Sequence, residues 1–337
     1  MKLPNLFNPS NDMALASHVR EYVPPKRIQQ MEAHLEALAA VWEGTMFSGP
    51  WGWSLATKRR YERMGVPVEL LPSDDWIEEV RKLSSREYAC EYIKELLEEF
   101  QDERLLGDGM FFCKDVSTLN SQLSTLCPQL LTLNSQLSTV NCHLIFKSPW
   151  SSSGRGVFVD RMADGKCQMS TLKRLQGFLS SQGGFVVDRF YENKVLDFAM
   201  EFFVHEDHTV EFLGWSVFYA GENGAYGYNY VESQEELLRR IDTDENLLLR
   251  LIEYHKEHLA KTAYHGPVGI DMLKTADGSI HPCLEINLRM NMGILALLLH
   301  EQYGSNATVA LTPERGCGFQ ASLKEDRLQI DYTAGKK

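Results

Sequence analysis

Residues 267–289 constrain the fold more than any other stretch of this 337-residue chain. Pro267 to Leu273 and Ser279 to Asn287 read as apolar strands joined by Thr275-Ala276-Asp277-Gly278. An Asp-Gly pair between apolar runs is a hairpin signal, so the chain is committed to antiparallel sheet here. Each strand carries an acid: Asp271 in the first, Glu285 in the second. Side chains at i and i+2 share a face of a strand. Glu285, Asn287 and, if the strand persists, Arg289 therefore point the same way, and Leu284, Ile286 and Leu288 are expected to face a core. The turn places Asp271 opposite residues 282–284, one step from Glu285. Two carboxylates and an amide oxygen then converge as hard ligands suited to Mg²⁺. The plainer reading is a solvated polar face of an amphipathic strand.

A second constellation is Lys147-Ser148-Pro149-Trp150-Ser151-Ser152-Ser153-Gly154-Arg155-Gly156-Val157. A strand delivers a lysine, a small-residue loop follows, and another strand begins. Ser and Gly let backbone N–H groups approach an anion closely, and Lys147 adds a full charge for a phosphate. Read alone, it is equally a polar hairpin. A third piece, Asp188-Arg189-Phe190-Tyr191, closes one strand before Asp197 opens the next. Backbone groups of such a link can hydrogen-bond a flat heterocycle, or it is simply a charged connection.

Lys and Arg number 34 against 46 Asp and Glu, for a net charge of −12. This argues against a nucleic-acid partner, for which a basic face is expected. The 44% hydrophobic and 24% charged content is ordinary for a globular chain. No apolar run approaches the roughly 20 residues of a membrane helix, and Met1 to Asn8 lacks a signal-peptide core. The seven cysteines form no C-x-x-C pair, which fits reduced thiols and a cytoplasmic location.

Residues 1–110 alternate strand-like and helix-like pieces, an expected N-terminal α/β domain. Leu3 to Phe7, Thr45 to Phe47 and Val68 to Leu71 are its strand candidates. Ile28 to Trp42, Leu55 to Met64 and Trp76 to Leu106 are its helices, the last interrupted near Ser84-Ser85. Residues 111–142 form a linker holding a seven-residue repeat over 118–139, in which the string starting at Thr118 recurs at Thr132. Its leucines follow a heptad stripe, but Ser, Thr, Asn and Pro128 oppose a helix. A tandem expansion in a surface loop competes with a partner-binding helix. From His143 the chain is strand-rich. Residues 143–192 and 193–303 form two subdomains, with 304–337 a tail. Gly221 to Tyr230 reads as a Gly/Tyr-rich loop able to close over a ligand, and Asn8 to Asp12 as a turn at a usual ligand position.

Taken in order over residues 143–300, these pieces resemble the ATP-grasp superfamily. Glu285-x-Asn287-x-Arg289 is similar to its metal and transition-state strand, and Lys147 with Arg155-Gly156-Val157 to its phosphate loop. Asp271 falls at its other metal-binding acid, and Asp188 to Tyr191 at its adenine hinge. Pro149 and Trp150 stand where many members carry glycine, and Asp188 where Glu is usual. Lys114 is a candidate for the family's earlier nucleotide lysine.

The resemblance implies an α/β (α+β) fold in which a pre-ATP-grasp-like domain precedes an ATP-grasp fold of two α+β subdomains. It implies ATP and Mg²⁺ as cofactors, with Mn²⁺ as an alternative ion. The metal ligands are Asp271, Glu285 and Asn287. Nucleotide contacts are Lys147, Ser151, Ser152, Ser153, Gly154, Arg155, Gly156, Asp188, Arg189, Phe190, Tyr191 and Asp197, and Lys147 and Arg289 are the catalytic residues. The implied reaction joins a small-molecule carboxylate to an amine through an acylphosphate. A nucleotide-binding regulatory or scaffolding protein without turnover and an ATP-grasp phosphotransferase are the competing readings. Homo-oligomer formation is left open.

Overall fold

The structure is a computed structural model that describes residues 3–119, 123, 142–151, 154, 156–162, 168–221, 225–304, 307–314, 318–324 and 327–333. The fold is mixed α/β, with two sheets and helices packed against them.

The N-terminal region is built from helices. These are α1 (Asn11–Ser17), α2 (Lys26–Leu35), α3 (Leu55–Arg63), α4 (Asp74–Leu83) and α5 (Arg86–Phe100). Side-chain caps start three of them: Ser54 on α3, Ser73 on α4 and Ser85 on α5. The break expected at Ser84-Ser85 is present. The three strand candidates are not strands. Leu6 makes only an isolated parallel bridge to Pro50, Thr45 to Phe47 lies in a turn, and Val68–Leu70 is a 3₁₀ turn. Short apolar runs do not distinguish a strand from a segment buried against helices. Here Leu6, Phe7 and Phe47 are core residues without strand partners.

The first sheet has four strands: β1 (Phe111–Cys113), β2 (Cys142–Lys147), β3 (Val157–Met162) and β4 (Phe185–Arg189). They run antiparallel in the order β1-β4-β2-β3, with α6 (Met169–Gln182) leading into β4. Leu144, Phe146, Phe158, Phe185 and Val187 pack with Leu175 of α6 to form its core. Thr118, Leu119 and Leu123 are the only members of the 118–139 repeat among the described residues, and the rest of it lies outside them.

The second sheet begins with β5 (Lys194–Val204), β6 (Val210–Ala220) and β7 (Tyr226–Val231). Helices α7 (Gln234–Ile241) and α8 (Glu245–Ala260) follow, then β8 (Gly266–Thr275), β9 (Ile280–Asn287) and α9 (Met292–Tyr303). The chain ends in β10 (Ala307–Glu314), β11 (Gly318–Lys324) and β12 (Arg327–Thr333). The order is β11-β12-β10-β7-β6-β5-β8-β9, antiparallel except for the parallel β10–β12 pair. The expected tail is therefore three more strands of this sheet, and Tyr226 to Tyr230 is strand rather than loop.

Alternation on the central strands separates a core face from a site face. Phe198, Met200 and Phe202 of β5 pack with Ile270 and Met272 of β8 against Leu96, Leu237 and Leu251 from α5, α7 and α8. Asp197, Ala199, Glu201 and Asp271 line a cavity on the other face. Helix α9 is apolar on all sides from Met292 to Leu299, as suits a largely buried stretch, and turns polar at His300 to Gln302. Its Ile294, Leu295, Leu298 and Leu299 pack with Phe7, Leu35, Trp42 and Trp51, which fixes the N-terminal region over the sheet.

Candidate functional site

A cavity of about 290 Å³ lies between the two sheets, near the lower end of the size range of small-ligand sites. Lys147, Ser151, Gly154, Asp188, Arg189, Phe190, Tyr191, Asp197, Asp271, Glu285, Asn287 and Arg289 all line it. Gly156 follows in the phosphate-loop segment, while Ser152, Ser153 and Arg155 lie outside the described residues.

At one side, Lys147 ends β2 with its Nζ 3.4 Å from Asp188 Oδ2 on neighbouring β4, both groups buried. Burial pushes the Asp188 carboxyl up. Lys147, His281 and the Arg189 backbone N–H more than reverse this and hold it at about 2. The Arg189 N–H donates to Asp188 Oδ1 at 2.8 Å. His281 Nε2 on β9 lies 3.5 Å from Asp188 Oδ2. Tyr191 packs edge-on against the His281 ring. Asp197 accepts a 2.6 Å hydrogen bond from Lys194 Nζ, and burial still pushes its carboxyl up.

The segment from Lys147 to Gly156 is anchored on both flanks. Ser148 N–H donates to Gly156 O at 2.8 Å. Gly156 sits at φ +70, where a Cβ would fall 2.3 Å from Ser148 Oγ, so glycine is required. Pro149 and Trp150 are docking residues. Pro149 O accepts from the Arg86 N–H at 3.0 Å. Trp150 Nε1 donates to Arg81 O at 2.9 Å, and the Arg81 guanidinium lies 4.2 Å over its ring.

On the hairpin, the register differs from the expected one in a way that sharpens the site. Leu273 pairs with His281, but Asp271 pairs directly with Glu285, because an irregularity between them takes up two extra residues of β9. Asp271 thus faces Glu285 squarely. Leu284, expected in the core, is turned onto the cavity, while Ile286 and Leu288 are core residues. Burial, and then the Glu285 charge, push Asp271 well above the usual carboxylate range.

Glu285 and Asn287 are each held by an arginine. Glu285 Oε2 accepts from Arg86 Nη2 at 2.5 Å, and Asn287 Oδ1 accepts from Arg289 Nη2 at 2.8 Å. Arg289 is itself clamped by Asp12 of α1, its Nε and Nη2 donating to the two carboxylate oxygens at 2.9 and 2.8 Å. Burial opposes the Arg289 charge, but Asp12 and the nearby carboxylates keep it protonated. Arg86, buried at the first turn of α5, also donates to Ser148 O at 2.8 Å and Ser151 Oγ at 2.7 Å. It therefore joins the phosphate loop to the hairpin.

Sequence reasoning missed Arg86, His281 and the clamping role of Asp12. Arg86 directly follows the Ser84-Ser85 helix break, the one local signal that could have drawn attention to it. Lys114 is not brought into the cleft: it is exposed and pairs with Glu87.

The oxygen set suits a divalent cation. Two facing carboxylates, one raised by the charge of the other, form a site whose repulsion a cation relieves. Among the described residues no three His, Cys, Asp or Glu side chains gather to hold a metal alone. The remaining ligands would have to come from a substrate, as is usual for Mg²⁺.

Solved structures similar to this chain are ATP-grasp proteins. They include a biotin carboxylase–β,γ-ATP complex from Campylobacter jejuni, at 12% identity over 89% of this chain and 70% of that one, TM-score 0.47. An L-amino acid ligase from Bacillus licheniformis matches at 12% identity over 88% and 69%, TM-score 0.41. The biotin carboxylase domain of the Hydrogenobacter thermophilus 2-oxoglutarate carboxylase, with MgADP and bicarbonate, matches at 11% over 68% and 47%, TM-score 0.42. This chain thus spans about half the length of the last of these. No protein-family model and no curated protein matches the sequence. Among the described residues no helix is long and apolar enough to cross a membrane.

Proposed function

We propose that this chain is an ATP-grasp ligase that uses ATP to activate a carboxylate as an acylphosphate and passes the acyl group to an amine. The observation that supports it is the convergence of Lys147, Asp271, Glu285, Asn287 and Arg289 on one cavity beside the Asp188–Tyr191 link.

Lys147 supplies a buried ammonium for phosphate oxygens, held beside Asp188. Backbone groups of Asp188 to Tyr191 face the adenine ring, and Asp197 accepts from a ribose hydroxyl. Asp271, Glu285 and Asn287 would hold Mg²⁺, or Mn²⁺, which when bound would neutralise charge on the transferred phosphoryl group. A substrate carboxylate oxygen attacks the γ-phosphorus and ADP leaves. The amine nitrogen then attacks the acyl carbon and phosphate departs. Arg289, fixed by Asp12, presents its remaining N–H to the oxyanion that forms at that carbon.

One observation favours a second reading, nucleotide binding without turnover. The Glu285 and Arg289 charges are already paired, with Arg86 and Asp12. ADP release that depends on both a carboxylate and an amine separates the two readings.

The test is calorimetric titration with a non-hydrolysable ATP analogue, with and without Mg²⁺, on the native chain and on Glu285→Gln. The native chain should bind the analogue in an Mg²⁺-dependent way, and Glu285→Gln should lose that dependence while keeping its fold. Unchanged Mg²⁺-dependent affinity in the variant would remove the metal assignment, and no binding by the native chain would remove the reading as a whole.

A further inference from the structure

Glu201 belongs neither to the nucleotide contacts nor to the metal set named above, yet its carboxylate is closely housed in the cavity. It sits mid-strand on β5, only 1% exposed, and lines the cavity floor. Ser216 Oγ on β6 donates to Oε1 at 2.7 Å, and Asn291 Nδ2 donates to Oε2 at 2.7 Å. Asn291 is held in turn as the cap of α9, its Oδ1 accepting from the Ile294 N–H at 2.9 Å. Two glycines clear the space. A Cβ at Gly293 would fall 2.0 Å from Glu201 Oε1, and one at Gly269 would fall 2.1 Å from Asn291 Nδ2.

Both direct partners of Glu201 are neutral. A buried carboxylate without a paired cation is costly, and a neutral side chain would fill the place more cheaply. Burial accordingly pushes its carboxyl up to about 7, against the two hydrogen bonds and the more distant Arg289. The charge makes sense if a cation or a proton arrives from outside. A hard metal ion would want several anionic oxygens as direct neighbours, whereas the two side chains that touch Glu201 are a hydroxyl and an amide donor. Part of the same cavity wall is apolar. Met292 adjoins Asn291, and Phe7, Pro9 and Trp51 line the same cavity. Trp51 O accepts from Met290 N–H at 2.8 Å, and the Phe7 ring packs edge-on to Trp51 at 5.1 Å.

We propose that Glu201 is the seat of the amine co-substrate, and that this amine carries an apolar substituent received by Phe7, Pro9, Trp51 and Met292. This rests on the ligase reading for its chemical step. As the amine nitrogen bonds to the acyl carbon, the acyl C–O bond to phosphate breaks and phosphate takes that electron pair. The proton displaced from nitrogen passes to Glu201, which returns it to solvent.

The test needs no knowledge of the natural substrate. Phenethylamine and its neutral analogue 2-phenylethanol are titrated calorimetrically into the native chain, Glu201→Gln and Met292→Ala, with an ATP-analogue titration run on the same samples. The native chain should prefer the amine by about ten- to a hundredfold, the range expected for one hydrogen bond to a charged group. Glu201→Gln should erase that preference, and Met292→Ala should weaken both ligands while leaving their ratio intact. Equal binding of amine and alcohol to the native chain, or a preference surviving in Glu201→Gln, overturns the proposal. Analogue binding without amine preference overturns it and leaves the ligase reading standing. Amine preference without analogue binding does the reverse.

Discussion

Replacing Lys147 by Met keeps the aliphatic stem and removes only the ammonium that faces Asp188 at 3.4 Å. Both groups are almost fully buried, so the variant strands a carboxylate in a low-dielectric site, at a cost of about 3–5 kcal/mol near neutral pH. The pH dependence identifies the cause. In the native protein Asp188 is depressed from 3.8 to about 2. A depressed acid stabilises the fold above its unfolded value, and that contribution is lost as the pH falls from 3.8 towards 2. At about 1.4 kcal/mol for each tenfold change in acidity, it amounts to roughly 2.5 kcal/mol. Without Lys147, burial dominates and Asp188 takes up its proton early, so the variant has no such contribution to lose. The stability gap between the two proteins should therefore be widest near neutrality and shrink by at least about 2.5 kcal/mol on acidification to about pH 2, since the variant also gains stability as its buried Asp188 takes up a proton. Urea unfolding of both proteins, followed by tryptophan fluorescence across that range, measures the gap. Carboxylates common to both cancel in the difference, and His281 is present in each. A gap constant with pH would refute the assignment of the depression to Lys147.

Two further perturbations follow from other parts of the site. Arg86→Lys keeps the charge but cannot reach Ser148 O, Ser151 Oγ and Glu285 together, so ATP-analogue affinity should fall about tenfold with little change in unfolding midpoint. Unchanged affinity would show that the loop needs no such anchor. Gly293→Ala should destabilise by about 1–3 kcal/mol, because its Cβ meets Glu201 and Ser216. Gly177→Ala, mid-helix in α6 with open space around it, should stabilise by about 0.5–1 kcal/mol in the same thermal melts. Equal effects would mean the clearance around Glu201 is not tight.

What the sequence conveyed well was local and periodic. The alternation around Glu285 and Asn287, the hairpin turn, the helix break at Ser84-Ser85 and the lysine ahead of a Ser/Gly loop all express short-range rules. Contacts between distant segments were not legible. Nothing near Asp12 announces Arg289, which lies 277 residues away, and Arg86 meets Glu285 across 199. The offset that sets Asp271 against Glu285 was also hidden, since a bulge depends on how neighbouring strands twist rather than on the turn that joins them. Tyr226 to Tyr230 misled for a related reason. Its glycine suggested a loop, whereas alternating tyrosines on a half-buried surface favour a strand.

The double anchoring of residues 147–151 has a kinetic consequence. With Trp150 fastened to Arg81 and Pro149 to Arg86, this stretch cannot swing aside by itself. Opening the cleft on that side means parting the small sheet from helices α4 and α5, which are held to the large sheet through Leu96, and breaking the Trp150–Arg81 and Pro149–Arg86 links together. Residence of whatever occupies the cleft is then governed by the parting of large bodies, a slow collective event, instead of by the flutter of a single turn.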